Sequence, residues 1–246
     1  MPPVCLRERL VLRIPIVFIG KYFEKVEKMR ETIIEAIERE KIIAIVRGAE
    51  PAQCRAVAQA LYAGGIRLME ITYNQKAPET WQATADAIGA LAKEYEGRMF
   101  VGAGTVTSPE LVEMTAKAGG AFIISPDTDV AVIQKTRELG LVSMPGAMTP
   151  SEIKTAHNAG ADFVKLFPVG SLGAGYLKAV KAPLSHIKMM AVGGVNEENA
   201  AEFLKAGAVG LGVGGNLAKK AWIEAGAFEK LTAAAKALVE AVRSAG

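Results

Sequence analysis

The chain has 246 residues, half of them hydrophobic and 22% charged, with 29 basic residues against 26 acidic ones for a formal charge of +3. That composition excludes a disordered chain, the length suffices for a substantial core, and the scattered basic residues argue against nucleic acid as a partner. The two cysteines, Cys5 and Cys54, cannot form a disulfide framework, so a reducing cytoplasm is expected.

Residues 1–28 differ from the rest and form a separate extension, expected to be poorly ordered or peripheral. Residues 10–20 (LVLRIPIVFIG) are apolar but interrupted by Arg13 and Pro15. The run is far short of the roughly 20 residues that span a bilayer, so no membrane association is expected. Arg7 and Arg9 precede it as in a signal peptide, yet no small-residue cleavage site follows. An appended segment, with Met29 as the working start, is the plainer reading. From Met29 the pattern is an amphipathic helix, with Ile33, Ile34 and Ile37 on one face.

Residues 29–246 then repeat one unit. Short apolar runs occupy residues 42–46, 68–72, 99–101, 122–125, 142–145, 163–167, 187–192 and 209–213. Each is too short for a buried helix and nearly continuous in apolar character, as expected of parallel strands covered on both faces. Ala-rich amphipathic segments lie between them, among them residues 51–63, 108–118 and 196–206. Eight such units in this length predict an α/β protein, a single-domain (β/α)8 TIM barrel. A doubly wound sheet is the competing arrangement, but the first run ends in Arg47-Gly48-Ala49-Glu50, without a glycine-rich fingerprint.

Charges inside strands carry the chemical signal. In residues 163–167 (FVKLF), period two places Lys165 on one face with Phe163 and Phe167. A lysine between two inward aromatics is desolvated, which lowers its pKa and frees the amine to attack a carbonyl. In residues 68–72 (LMEIT), Glu70 shares a face with Leu68 and Thr72. A buried carboxyl and a buried amine can divide acid–base work, or can simply form a structural ion pair; spacing alone leaves both open. Two glycine pairs, Gly193-Gly194 and Gly214-Gly215, follow the seventh and eighth runs. Barrels commonly hold phosphate in those loops, although glycines there also serve tight turns.

Taken in order, IIAIVR (42–47), GIRLMEIT (65–72), VGAGTVT (101–107), ISP (124–126), MPGAMT (144–149), FVKLFP (163–168) and VGGV (192–195) resemble the class I aldolases acting on 2-keto-3-deoxy-6-phosphogluconate (KDPG) and 4-hydroxy-2-oxoglutarate (KHG). The resemblance implies a reversible lyase without metal or cofactor, assembled as a homotrimer. Its substrate is a small keto-acid, cleaved to pyruvate and an aldehyde, glyceraldehyde 3-phosphate or glyoxylate. By the same resemblance Lys165 forms the Schiff base and Glu70 is the general acid/base. Gly104 and Thr105 lie in the carboxylate pocket, Arg47 near the substrate's anionic groups, and Phe167 against the pyruvyl part.

Departures from the family pattern concern specificity. The chain has Asn74 where phosphogluconate enzymes commonly carry arginine, and Val192 where a threonine hydroxyl is usual. Both are more similar to the branch that acts on the 6-phosphogalactonate epimer. Gly215 stands where a serine often meets phosphate. That leaves the N–H groups of Gly193, Gly194, Gly214 and Gly215, helped by Asn216, or an unphosphorylated substrate.

His157 and His186 are the only histidines and read as surface residues, leaving almost no material for a zinc site. Cys54 reads as a small buried hydrophobe, and Trp81 and Trp222 as packing or subunit contacts. Two other functions compete with the aldolase. A phosphate-binding barrel isomerase or epimerase would form no covalent adduct with pyruvate. A catalytically silent, self-assembling barrel would fold without turnover.

Overall fold

The computed structural model describes the backbone of residues 16–245 and side chains from Glu24 onward. Residues 1–15, with the start of the apolar run, lie outside the described residues. In chain order the elements are α1 (Ile16–Glu40), β1 (Ile42–Val46), α2 (Pro51–Ala63), β2 (Leu68–Thr72), α3 (Trp81–Glu94), β3 (Phe100–Gly104), α4 (Pro109–Ala118), β4 (Phe122–Ile124), α5 (Val130–Glu138), β5 (Val142–Met144), β6 (Gly146–Ala147), α6 (Pro150–Asn158), β7 (Val164–Leu166), α7 (Gly173–Lys181), β8 (Met189–Val192), α8 (Ala200–Lys205), β9 (Gly210–Val213), α9 (Lys220–Glu224) and α10 (Phe228–Arg243).

All the strands pair in parallel, in the order β5-β4-β3-β2-β1-β9-β8-β7-β6. Only Pro145 separates β5 from β6, and a proline has no N–H to offer a ladder. The two are therefore halves of one stave, and the sheet is an eight-stave barrel of the TIM type.

Several helices are started by the local chemistry of the turns before them. Ser108 caps α4 ahead of Pro109, and Asp129 caps α5 by accepting from two backbone N–H groups. Thr149 and Glu152 form a capping box at α6, which fixes where the chain leaves the barrel mouth.

Two apolar layers result from the period-two alternation. Outward residues such as Met69, Ile71, Val164 and Leu166 join the layer between strands and helices. Inward residues Ile43, Leu68, Phe122, Met144, Phe163, Met190 and Val192 fill the barrel. Ile33 and Ile37 of α1 belong to that inner cluster, so α1 plugs the end of the barrel opposite the strand C-termini. Their burial contributes about 2 kcal/mol each. Arg30 fastens the plug: it is buried and pairs with Asp162, which also accepts from Arg137 and from the Ser143 N–H.

The third strand departs from expectation. It spans Phe100–Gly104 rather than residues 99–101, because two of its three inward positions, after Phe100, are Gly102 and Gly104. A Cβ at Gly102 would enter the Phe122 ring, and one at Gly104 would enter the Glu70 carboxylate. Glycine thus weakens the apolar signal where the interior needs room. Helix α8 begins at Ala200, not at residue 196. The Asn196 and Asn199 side chains instead accept backbone N–H groups within a turn over residues 196–199.

Candidate active site

Lys165 and Glu70 both point into the barrel, toward the strand C-termini, and are 6% and 1% exposed. Burial pushes the Lys165 ammonium pKa below its ordinary value; Glu70 opposes the shift, and Arg47 adds to it. Burial likewise pushes the Glu70 carboxyl up to about 7, against the pull of Lys165 and Arg47. Each group is therefore close enough to perturb the other's ionisation. The Lys165 Nζ lies 4.6 Å from the Phe167 ring centroid. Glu70 Oε2 is buried with no hydrogen-bond partner among the described residues. An unpartnered carboxyl oxygen in the same interior as an amine whose charged form burial disfavours is suited to proton exchange.

Gly104 and Thr105, which the family resemblance implies as a carboxylate pocket, lie at the turn after β3. Thr105 has φ of 56°, a left-handed conformation that a β-branched residue rarely adopts. The Gly104 carbonyl is held by the Tyr73 N–H at 2.9 Å, and the Val106 N–H donates to Ile124 at 3.2 Å. Arg47, exposed at the end of β1, reaches across and donates to the Thr105 hydroxyl at 3.4 Å. Arg47, Gly104, Thr105, Glu70 and Lys165 thus come together at one mouth.

Phe167 connects this group to the glycine loops, because Gly193 lies against its ring: a Cβ there would sit 3.2 Å from Cδ2. Gly193 and Gly194 have φ of 91° and 83°. Among the described residues the backbone N–H groups of Gly193, Gly194, Gly214 and Gly215 donate to no backbone or side-chain acceptor. They remain available to an anion. The Asn216 side-chain amide donates to the Val195 carbonyl at 2.9 Å and ties the two loops together.

Val192 is 5% exposed and belongs to the inner cluster below those loops. The Asn74 side-chain oxygen accepts from the Lys76 N–H, and its carbonyl from the Trp81 indole, so Trp81 braces the loop that carries Asn74.

The sequence reading did not single out Asp127, Gln75 or Thr107. Asp127 follows β4 and is exposed; partial desolvation and Asp129 raise its pKa, while Lys165 pulls it down. The matching ISP segment stops one residue short of it. Gln75 and Thr107 hydrogen-bond to each other and brace Thr105. The two histidines meet edge to face, with centroids 5.3 Å apart, at the exposed surface away from this mouth. Cys54 is buried and its thiol is pushed up to about 11, as suits an inert hydrophobe. Among the described residues no group of three or more His, Cys, Asp or Glu side chains is placed to hold a metal ion. No described helix is long and apolar enough to cross a membrane.

Residues 33–234 match the family described as KDPG and KHG aldolase. The 2-dehydro-3-deoxy-6-phosphogalactonate aldolase of Escherichia coli (strain K12) is 36% identical over 205 residues, 83% of this chain and 95% of that protein. The 2-dehydro-3-deoxy-phosphogluconate aldolase of Treponema pallidum (strain Nichols) is 32% identical over 213 residues, 86% of this chain and 98% of that protein. Among solved structures, one described as native KDPGal superposes with a TM-score of 0.75 at 36% identity, covering 83% of this chain and 95% of that one.

Proposed function

The chain belongs to the family of KDPG and KHG aldolases, and we propose that it is a class I enzyme cleaving a 2-keto-3-deoxy-6-phospho-sugar acid, with the galactonate epimer preferred. The observation that carries this reading is the pairing of a buried Lys165 with a buried Glu70 whose pKa stands near 7. Burial favours the neutral amine that attacks the C2 carbonyl, and the resulting carbinolamine loses water to a protonated imine. The imine then withdraws the C3–C4 bonding pair as the Glu70 carboxylate takes the C4 hydroxyl proton. Glyceraldehyde 3-phosphate leaves, the enamine is protonated at C3, and water releases pyruvate from Lys165.

Arg47 and the Thr105 turn bind the pyruvyl carboxylate in this reading, and Phe167 covers the imine. The free N–H groups of Gly193, Gly194, Gly214 and Gly215 receive the phosphate. Asn74 and Val192 face the C4 and C5 hydroxyls and set the stereochemical preference. The active form is a cytoplasmic homotrimer; light scattering at three times the 26.0 kDa chain mass tests the assembly.

Borohydride trapping with pyruvate, followed by intact-mass and peptide mapping, tests the mechanism. A reduced adduct on Lys165, absent in Lys165→Met, is the expected result. A folded protein that forms no adduct points instead to the isomerase or to the silent barrel.

A further inference from the structure

Of the residues at the barrel mouth, Thr105 has the least favourable backbone, with φ of 56° at a β-branched side chain. Such a conformation persists only where its surroundings over-determine it. The bonds upstream and downstream fix the carbonyl of Gly104 and the N–H of Val106, but not Thr105 itself. Gln75 supplies what is missing. Its Nε2 donates to the Thr105 carbonyl at 2.8 Å, and its Oε1 accepts from the Thr107 hydroxyl at 3.0 Å. One carboxamide from the loop after β2 therefore clamps the turn after β3 at two points. The Thr105 N–H itself donates to no acceptor among the described residues. Its hydroxyl is left to Arg47.

We propose that Gln75 is a positioning residue: through the Thr105 carbonyl it holds the Thr105 N–H and hydroxyl on the substrate carboxylate, with Thr107 fixing the orientation of the clamp. This deepens the reading of the mouth as a pyruvate site and rests on it. Gln75 is exposed and touches no reacting atom, so its loss weakens ground-state binding of the keto-acid and leaves the bond-breaking step alone.

The test is reductive trapping of pyruvate on the enzyme with cyanoborohydride, read as the pyruvate concentration that gives half-maximal Lys165 adduct. Gln75→Met keeps the length and removes the polar atoms; Thr107→Val removes the hydroxyl that orients the clamp, and Thr107→Ser restores it. In Gln75→Met and Thr107→Val the half-saturating concentration should rise about three- to tenfold, the effect of one hydrogen bond. Maximal adduct and melting temperature should stay as in the parent chain, and Thr107→Ser should behave like the parent. Adduct formation with unchanged half-saturation in Gln75→Met overturns the inference while leaving the aldolase reading intact. A parent chain that forms no adduct overturns both.

Discussion

Gly104 lies directly against the carboxylate of Glu70, so closely that a Cβ at this position would occupy the carboxylate's own space. The two residues sit on neighbouring strands of the barrel, where β2 pairs with β3. Absence of a side chain on one strand is thus what lets a carboxyl stand upright on the next. Gly104→Ala should displace Glu70 while the barrel persists, because the clash falls on a side chain rather than on backbone. A displacement of about 1 Å in a proton-transfer group costs on the order of 10²-fold in turnover. Turnover within threefold of the parent, with an unaltered melting curve, would remove Glu70 from the proposed chemistry.

The Glu70 pKa gives a pH dependence with a definite sign. Its folded value, about 7, stands above the ordinary carboxyl value of 4.5. The folded chain therefore binds more protons than the unfolded chain between those limits. The stability this group contributes is complete below the lower limit and is lost as pH rises through the upper one. Glu70→Gln removes the titration, so its stability relative to the parent should rise between about pH 5 and about pH 8, by on the order of 1–3 kcal/mol. Urea unfolding at both pH values measures it, and a constant difference would contradict the shift.

Activity should run the opposite way. Accepting the C4 hydroxyl proton requires the carboxylate, so kcat/KM for cleavage should climb through about pH 7 in the parent, following the free enzyme's base. Glu70→Gln should lose that limb and about 10²–10⁴-fold in kcat, the usual contribution of a positioned acid or base. A loss below tenfold would argue that Glu70 only balances the charge of Lys165.

Lys165 and Glu70 were legible because a charge at a period-two position inside an otherwise apolar strand contradicts the pattern around it. β1 and β2 were legible to the residue for a related reason: buried parallel strands are continuous apolar runs. The third strand was misplaced because the size of Phe122 and the position of Glu70, both remote in sequence, dictate its two inward glycines. No local signal announces such a need. The left-handed Thr105 is likewise a consequence of bonds from Gln75 and Val106, not of its own preference. Arg30 and Asp162 are 132 residues apart, and only the plugging of the barrel by α1 brings them together.

That pair sets a further expectation. Asp162 is the shared acceptor of Arg30, Arg137 and the Ser143 N–H. Asp162→Ala removes the buried carboxylate from Arg30 and leaves it only the largely exposed Glu27. Breaking a buried pair from one side costs about 3–5 kcal/mol, and the remaining Glu27 contact keeps this loss at or below the lower end. The melting temperature should fall accordingly, while pyruvate trapping at low temperature stays at the parent level, since the plug lies at the end of the barrel away from Lys165. Loss of trapping at a temperature where the variant is fully folded would show that α1 also shapes the site.

The glycine loops allow a gain of function as well as a loss. Gly215 has no neighbour within 4 Å of a built Cβ and lies outside the left-handed region, so Gly215→Ser fits without strain. A serine hydroxyl there adds a charge-assisted bond to a bound phosphate, which should lower KM for the phosphorylated substrate by about three- to tenfold. Gly194→Ala is the converse: φ is 83°, and a Cβ would sit 2.9 Å from the Gly170 Cα. It should raise the same KM, because the loop must shift to admit the methyl group and carries its N–H groups with it. Neither change should alter the pyruvate concentration that half-saturates trapping, since pyruvate has no phosphate. If Gly215→Ser leaves the phosphorylated substrate unaffected and Gly194→Ala weakens pyruvate instead, these loops serve the carboxylate end and the phosphate must bind elsewhere.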